Sequence, residues 1–161
     1  LAEQAAEEGI EAADVLVCCG GGGLSAGIAL ALERRAPGLR VRPAEPEHYD
    51  DTRRSLAAGT RLGNAGHAPT LCDAIVTPRP GELTFPILAR LAGPGFAVSD
   101  ADALGAMAHA FLRLKLVLEP GGAVALAAAL WQAEGDGPVI AVATGGNVDA
   151  PVFARALDRL A

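Results

Sequence analysis

The sequence predicts an α/β fold, a doubly wound and mostly parallel sheet with helices on both faces. Three observations carry this expectation. Short apolar runs bounded by turn residues alternate with Ala- and Leu-rich helical stretches along the whole chain. The conspicuous polar or glycine-rich segments, 20–23, 45–51 and 144–147, each follow a strand-like run, at the carboxyl ends where such sheets bind ligands. Of the 161 residues, 51% are hydrophobic but only 4% aromatic, which suits helices packed closely on a parallel sheet. The length fits one domain, or one lobe of a larger fold.

Each element has its own signal. Residues 1–8 are rich in Ala and Glu, favour a helix and stop near Gly9. Asp14 to Cys19 is a buried-strand run. After Gly20–Gly23, an Ala/Leu helix runs from about Leu24 to Arg35 and Pro37-Gly38 stops it. Leu39 to Ala44 alternates like a strand and ends in Glu45-Pro46. Asp50 to Ala58 reads as a short helix closed by Gly59, residues 60–72 as a loop, and Asp73 to Val76 as a weak strand. The prolines of Thr77-Pro-Arg-Pro-Gly81 make a rigid turn. Leu83 to Leu91 is helical, with Pro86 in its first turn, and Gly95 to Val98 is a short strand. Ser99-Asp-Ala-Asp102 resembles a capping box. The helix it opens is expected to reach Leu118, with Leu104, Met107, Ala108, Phe111 and Leu114 on one core-facing stripe. Glu119-Pro-Gly-Gly122 breaks it. A further Ala-rich helix runs to about Glu134, Val139 to Thr144 is another buried-strand run, and a last helix starts near Ala150.

The net charge of −6 is spread along the chain without a basic patch, which argues against nucleic acid. No apolar run reaches the roughly 18–20 residues of a membrane span, and no secretory leader is visible. Cys18, Cys19 and Cys72 are expected to be reduced, buried thiols in a cytoplasmic protein. The chain opens at Leu1 and its only methionine is Met107, so a fragment or a processed chain is expected.

Four glycines in a row between a strand and a helix exceed what a turn needs. They let backbone amides approach an anion at a helix start, so Gly20, Gly21, Gly22 and Gly23 read as a phosphate cradle. The loop alone leaves two readings open. Gly21-x-Gly23-x-x-Ala26, with Glu45 ending the next strand, also fits a dinucleotide fingerprint and a nicotinamide or flavin oxidoreductase. That reading leaves Glu119-Pro-Gly-Gly122 and Thr144-Gly-Gly-Asn147 unexplained. No Gly-Lys-Ser/Thr follows the loop, which argues against a P-loop nucleotidase.

Five blocks, taken in order, resemble the pyridoxal-phosphate (PLP) serine/threonine dehydratases and serine racemase, of fold type II. Gly20 to Leu24 is similar to their tetraglycine loop, and Ala44-Glu-Pro-Glu-His-Tyr-Asp-Asp51 to their Glu-Pro segment. Asp73-Ala with Pro80-Gly-Glu-Leu-Thr-Phe85 is similar to their Asp-Gly…Pro-Gly stretch. Arg113 to Ala123 and Thr144 to Asp149 resemble the last two blocks. The resemblance implies that Gly20–Gly23 bind the cofactor phosphate, that the Thr144 hydroxyl meets the pyridine nitrogen, and that Glu119 lies near the ring edge. A hydroxyl at that nitrogen, in place of an aspartate, suits β-elimination. It further implies a site for Mg²⁺ or Ca²⁺ made by the carboxylates of Glu45 and Asp51 and the carbonyl of Tyr49. Without the cation, Asp50 and Asp51 read as helix caps. Gly81 is read as serving its turn, and His48, His67 and His109 as surface or packing residues.

In the family that the chain resembles, a lysine in a Ser-Phe-Lys-like motif holds the cofactor as a Schiff base. That motif, a serine acid/base and an Asn-containing loop for the substrate carboxylate lie upstream of the glycine loop and have no counterpart here. The chain is thus expected to be one lobe, most of the large PLP-binding domain, lacking the smaller domain and the lysine-bearing segment and inactive alone. The complete enzyme would be a cytoplasmic homodimer of the short catabolic kind, an ammonia-lyase for L-threonine, L-serine or a related β-hydroxy amino acid. A non-catalytic PLP-binding remnant is the further alternative.

Overall fold

The computed structural model describes residues 1–66 and 68–160. Its centre is a parallel four-stranded sheet in the order β3-β2-β1-β4. Strand β1 (Ala13–Cys18) pairs with β2 (Leu39–Pro46) on one side and β4 (Val139–Val142) on the other, and β3 (Phe96–Val98) adds to β2. The helices are α1 (Ala2–Glu7), α2 (Gly23–Arg35), α3 (Asp51–Ala58), α4 (Thr84–Leu91), α5 (Asp100–His109), α6 (Pro120–Trp131) and α7 (Ala150–Leu157).

Alternation along the strands makes two cores, because successive side chains point to opposite faces. Val15, Val17, Leu39 and Val41 pack with Ala5 of α1 and Ala29 and Leu32 of α2. Leu16, Cys18, Ala44, Phe96 and Val98 pack with α5 and α6, on the other face. The doubly wound expectation therefore holds, with helices on both faces. The capping box at Ser99 is present: its Oγ accepts the Asp102 amide at 3.1 Å and donates to Asp102 Oδ2 at 2.8 Å.

Three expectations need correction. Asp73–Ile75 is a single 3₁₀ turn rather than a strand. Its residues pack between the glycine loop and α6 and add to no strand of the sheet, so propensity yields to packing. The long helix from Ser99 does not reach Leu118. It passes into a π turn at Ala110–Leu114 and ends at Lys115, which adopts φ 58° and caps the turn through Nζ on the Leu112 carbonyl at 2.9 Å. A π turn carries more residues per turn than an α-helix, so the stripe rotates off the core. Leu104, Met107 and Ala108 are buried, but Phe111 is 37% and Leu114 58% exposed. Phe111 meets Phe153 edge to face instead.

Candidate active site

The carboxyl ends of β1, β2 and β4 carry the segments singled out in the sequence. After β1, the chain turns into α2 through Gly22, whose φ of 87° favours glycine. A Cβ on Gly22 would lie 2.9 Å from Thr84 Oγ1, and one on Gly20 would lie 3.2 Å from the Ile75 carbonyl. The loop is held from behind by α4. Gly21 O accepts the Gly81 amide at 3.1 Å and the Thr84 hydroxyl at 2.6 Å. Gly81 thus does more than complete its turn; a Cβ there would press on Thr84 Oγ1 at 2.7 Å. On the front of the loop a Cβ on Gly23 would meet nothing within 4 Å. Among the described residues no side chain caps α2 and its first turn holds no acid, so its leading amides have no side-chain partner. A phosphate group fits this opening.

Glu119 and the 144–147 segment form one unit. Glu119 N–H donates to Gly145 O at 2.9 Å, and Glu119 Oε2 accepts the Asn147 amide at 3.0 Å. The close approach requires glycine: a Cβ on Gly145 would sit 2.3 Å from Glu119 Oε1, and one on Gly122 would sit 2.4 Å from Gly145 O. Thr144 is exposed at the end of β4, its amide directed at Gly122 O. Cys18 Sγ reaches the same carbonyl at 3.5 Å. The 3₁₀ turn joins this unit to the glycine loop, since Ile75 lies against both Gly20 and Gly121. A cleft of about 410 Å³ opens beside Glu119, lined also by Asp73, Ala74 and Asn147. The glycine loop does not line it, so the cleft adjoins the Glu119 side of the site.

Glu45, Tyr49 and Asp51 gather separately, at the end of β2. Glu45 is fully buried, and its Oε1 and Oε2 accept the amides of Thr52 and Arg53 at 2.8 and 2.7 Å. It therefore caps α3 across the chain. Neither Asp50 nor Asp51 does so, contrary to the capping reading. Asp50 instead grips Arg53 and Arg54. The Arg53 amide, one turn beyond Tyr49, goes to Glu45, and among the described residues no backbone amide donates to the Tyr49 carbonyl. Asp51 is fully buried; Oδ1 accepts Asn64 Nδ2 at 2.6 Å while Oδ2 has no partner. Burial pushes Glu45 up to about 8, with the Asp51 charge adding to the effect, and burial raises Asp51 as well. Both carboxylates reinforce the burial that pushes the Cys19 thiol up to about 12. Two buried carboxylates, an orphaned oxygen and an open carbonyl are what a hard divalent cation satisfies. Among the described residues there is no cluster of three or more His, Cys, Asp or Glu side chains arranged for a metal.

The remaining residues fall out simply. Cys18, Cys19 and Cys72 are buried free thiols, and burial raises all three. His48 is exposed beside Glu47, and His109 packs edge-on to Trp131 at 5.8 Å. His67 lies outside the described residues. No helix among the described residues is long and apolar enough to cross a membrane. Asn64, Thr77 and the Asp50–Arg53–Arg54 grip escaped the sequence reading; only the i, i+3 and i, i+4 spacing of the last carried a signal.

A parallel lobe with a glycine-rich, uncapped helix start beside a hydroxyl-bearing strand end defines a phosphate-ester cofactor lobe. Comparison with known proteins makes this particular. The family model described as "Pyridoxal-phosphate dependent enzyme" matches residues 1–145. The chain is 37% identical to the beta-hydroxyaspartate dehydratase of Paracoccus denitrificans over 146 residues, 88% of this chain and 45% of that protein. It is 34% identical to the serine racemase of Oryza sativa subsp. indica over 160 residues, 94% of this chain and 46% of that protein. Among solved structures, the threonine deaminase of T.th. superposes with a TM-score of 0.85 at 39% identity, over 91% of this chain and 53% of that one. The chain belongs to the pyridoxal-phosphate-dependent enzyme family, whose cofactor is PLP. It spans about half the length, or less, of the relatives it matches. The dinucleotide reading falls with this assignment.

Proposed function

We propose that the chain is the PLP-holding lobe of an ammonia-lyase that converts a β-hydroxy amino acid to a 2-oxo acid and ammonia, with L-threonine, L-serine or a hydroxyaspartate as the substrate class. The relatives named for such reactions support this, and the observation that carries it is the open front of Gly23 at the uncapped start of α2. When bound, PLP supplies an electron sink for the substrate's α-carbon. Gly20–Gly23 hold the phosphate through backbone amides. The Thr144 hydroxyl meets the pyridine nitrogen; being neutral, it leaves that nitrogen less strongly protonated than an aspartate would, which favours loss of the β-hydroxyl over transamination. Glu119 holds the 144–147 segment in place through Asn147. Glu45, Asp51 and the Tyr49 carbonyl hold Mg²⁺ or Ca²⁺, which offsets the charge that burial penalises.

The single lysine, Lys115, is committed to capping its own π turn. The amine that tethers the cofactor and the loop that takes the substrate carboxylate therefore belong, in this reading, to polypeptide outside these 161 residues, in a homodimeric enzyme. The test is PLP titration of Thr144→Val and Thr144→Ser. Serine should keep both the affinity and the pH profile of the bound cofactor's absorbance, while valine should lose affinity and shift the profile. An unchanged profile in Thr144→Val removes Thr144 from the ring nitrogen.

A further inference from the structure

The carbonyl of Gly21 is gripped from behind the loop by two donors. The Thr84 hydroxyl donates to it at 2.6 Å and the Gly81 amide at 3.1 Å. Thr84 has one hydroxyl proton to give. Its other neighbour, the Gly81 carbonyl, is farther away at 3.3 Å and already accepts the Phe85 amide at 3.1 Å, so the proton belongs to Gly21. The Gly81 amide is itself anchored, because the carbonyl of the same Pro80–Gly81 peptide accepts Arg61 Nε at 3.0 Å and Nη2 at 2.8 Å. Among the described residues no peptide bond is cis. In a planar trans peptide the carbonyl and the N–H that follows it point in opposite directions. The Gly21 carbonyl faces Thr84 and Gly81, so the Gly22 N–H faces away from α4. Gly22 is buried, yet among the described residues no acceptor is bonded to the amides of Gly20, Gly21 or Gly22. An unmet backbone donor at a buried residue is costly, and a phosphate oxygen satisfies it.

We propose that Thr84 is a positioning residue for the phosphate cradle: its hydroxyl pins the Gly21 carbonyl against α4 and so turns the Gly22 N–H toward the phosphate. This rests on the PLP site proposed above. A run of glycines gains close approach to an anion at the expense of a defined conformation, since each residue tolerates both signs of φ. A flipped Gly21–Gly22 peptide would present a carbonyl oxygen to the phosphate and repel it. The Thr84 hydroxyl, reaching the loop from an element 63 residues away, selects the orientation that donates.

The test is a PLP titration of the full chain followed through its backbone amide NMR signals, for the wild type, Thr84→Ser, Thr84→Val and Thr84→Ala. In the wild type the Gly22 amide proton should move downfield as PLP saturates. Serine keeps the hydroxyl and should keep both the affinity and the Gly22 shift. Valine and alanine should weaken PLP binding by about five-fold or more and shrink the Gly22 shift at saturation, while amides remote from the loop stay where they were. The two truncations differ in bulk, so one that folds is enough. A folded valine or alanine variant with wild-type affinity and Gly22 shift overturns the proposal, as does a serine variant that behaves like valine. A wild type that binds PLP with its Gly22 amide unmoved overturns it alone, whereas a wild type that binds no PLP overturns the site reading beneath it.

Discussion

At the scale of single residues, Glu45 shows how position overrides type. Its sequence neighbours suggest a ribose acid or a metal ligand, and no pattern in the chain distinguishes these. The structure buries it and gives both its oxygens to amides of α3. Its carboxyl is pushed by burial from 4.5 to about 8. The folded chain holds this proton where the unfolded chain has lost it. Without metal, the contribution of Glu45 to stability is full below about 4.5 and declines as pH rises toward 8. A cation competes with the same proton, so Mg²⁺ affinity should climb by up to about ten-fold per pH unit and level off above about 8. Calorimetric titration between about pH 6 and 9 checks this. A flat profile would mean that Glu45 is not a ligand. The glycine run stood out without the structure because a turn uses one or two; the structure shows Gly20 and Gly22 pressed close to Ile75 and Thr84. Asn64 did not, since a lone amide in a glycine-rich loop acquires meaning only from the Asp51 carboxylate and the Thr77 carbonyl it bridges.

At the scale of elements, strand and helix order was readable because the hydrophobic period changes cleanly between them, and boundaries mostly moved by one or two residues. The failures came where a packed neighbour or a change of helical pitch took over. The α5 stripe is the clearest case. Helical spacing places Met107 and Leu114 on one face, yet the π turn at Ala110–Leu114 separates them: Met107 is 0% and Leu114 58% exposed. Met107→Ala should therefore cost about 2–4 kcal/mol, and Leu114→Ala less than about 0.5 kcal/mol, in urea denaturation of the whole chain. Equal costs would show that the helix continues unbroken through Leu118 as its sequence suggests. The Asp73–Ile75 turn misled for the opposite reason: a short run with strand propensity was recruited to wedge between Gly20 and Gly121, where Ile75 touches both.

At the scale of the whole molecule, the sheet separates two kinds of work. One face and its strand ends carry Thr144, Glu119 and the 3₁₀ turn; the other carries Glu45 and Asp51 under α3. The glycine loop stands where β1 passes between them. The decisive measurement is equilibrium PLP titration of the wild type beside Gly23→Ala, with the melting temperature of each. Among the described residues a methyl on Gly23 meets nothing within 4 Å, so the fold should not feel it, whereas in the proposed cradle it would crowd a phosphate drawn against the glycine backbone. The expected result is saturable binding by the wild type and at least roughly ten-fold weaker binding by Gly23→Ala, about 1.4 kcal/mol, at an unchanged or slightly higher melting temperature. Equal PLP affinity in the two proteins, or no binding by the wild type, would contradict the phosphate cradle and the site built around it.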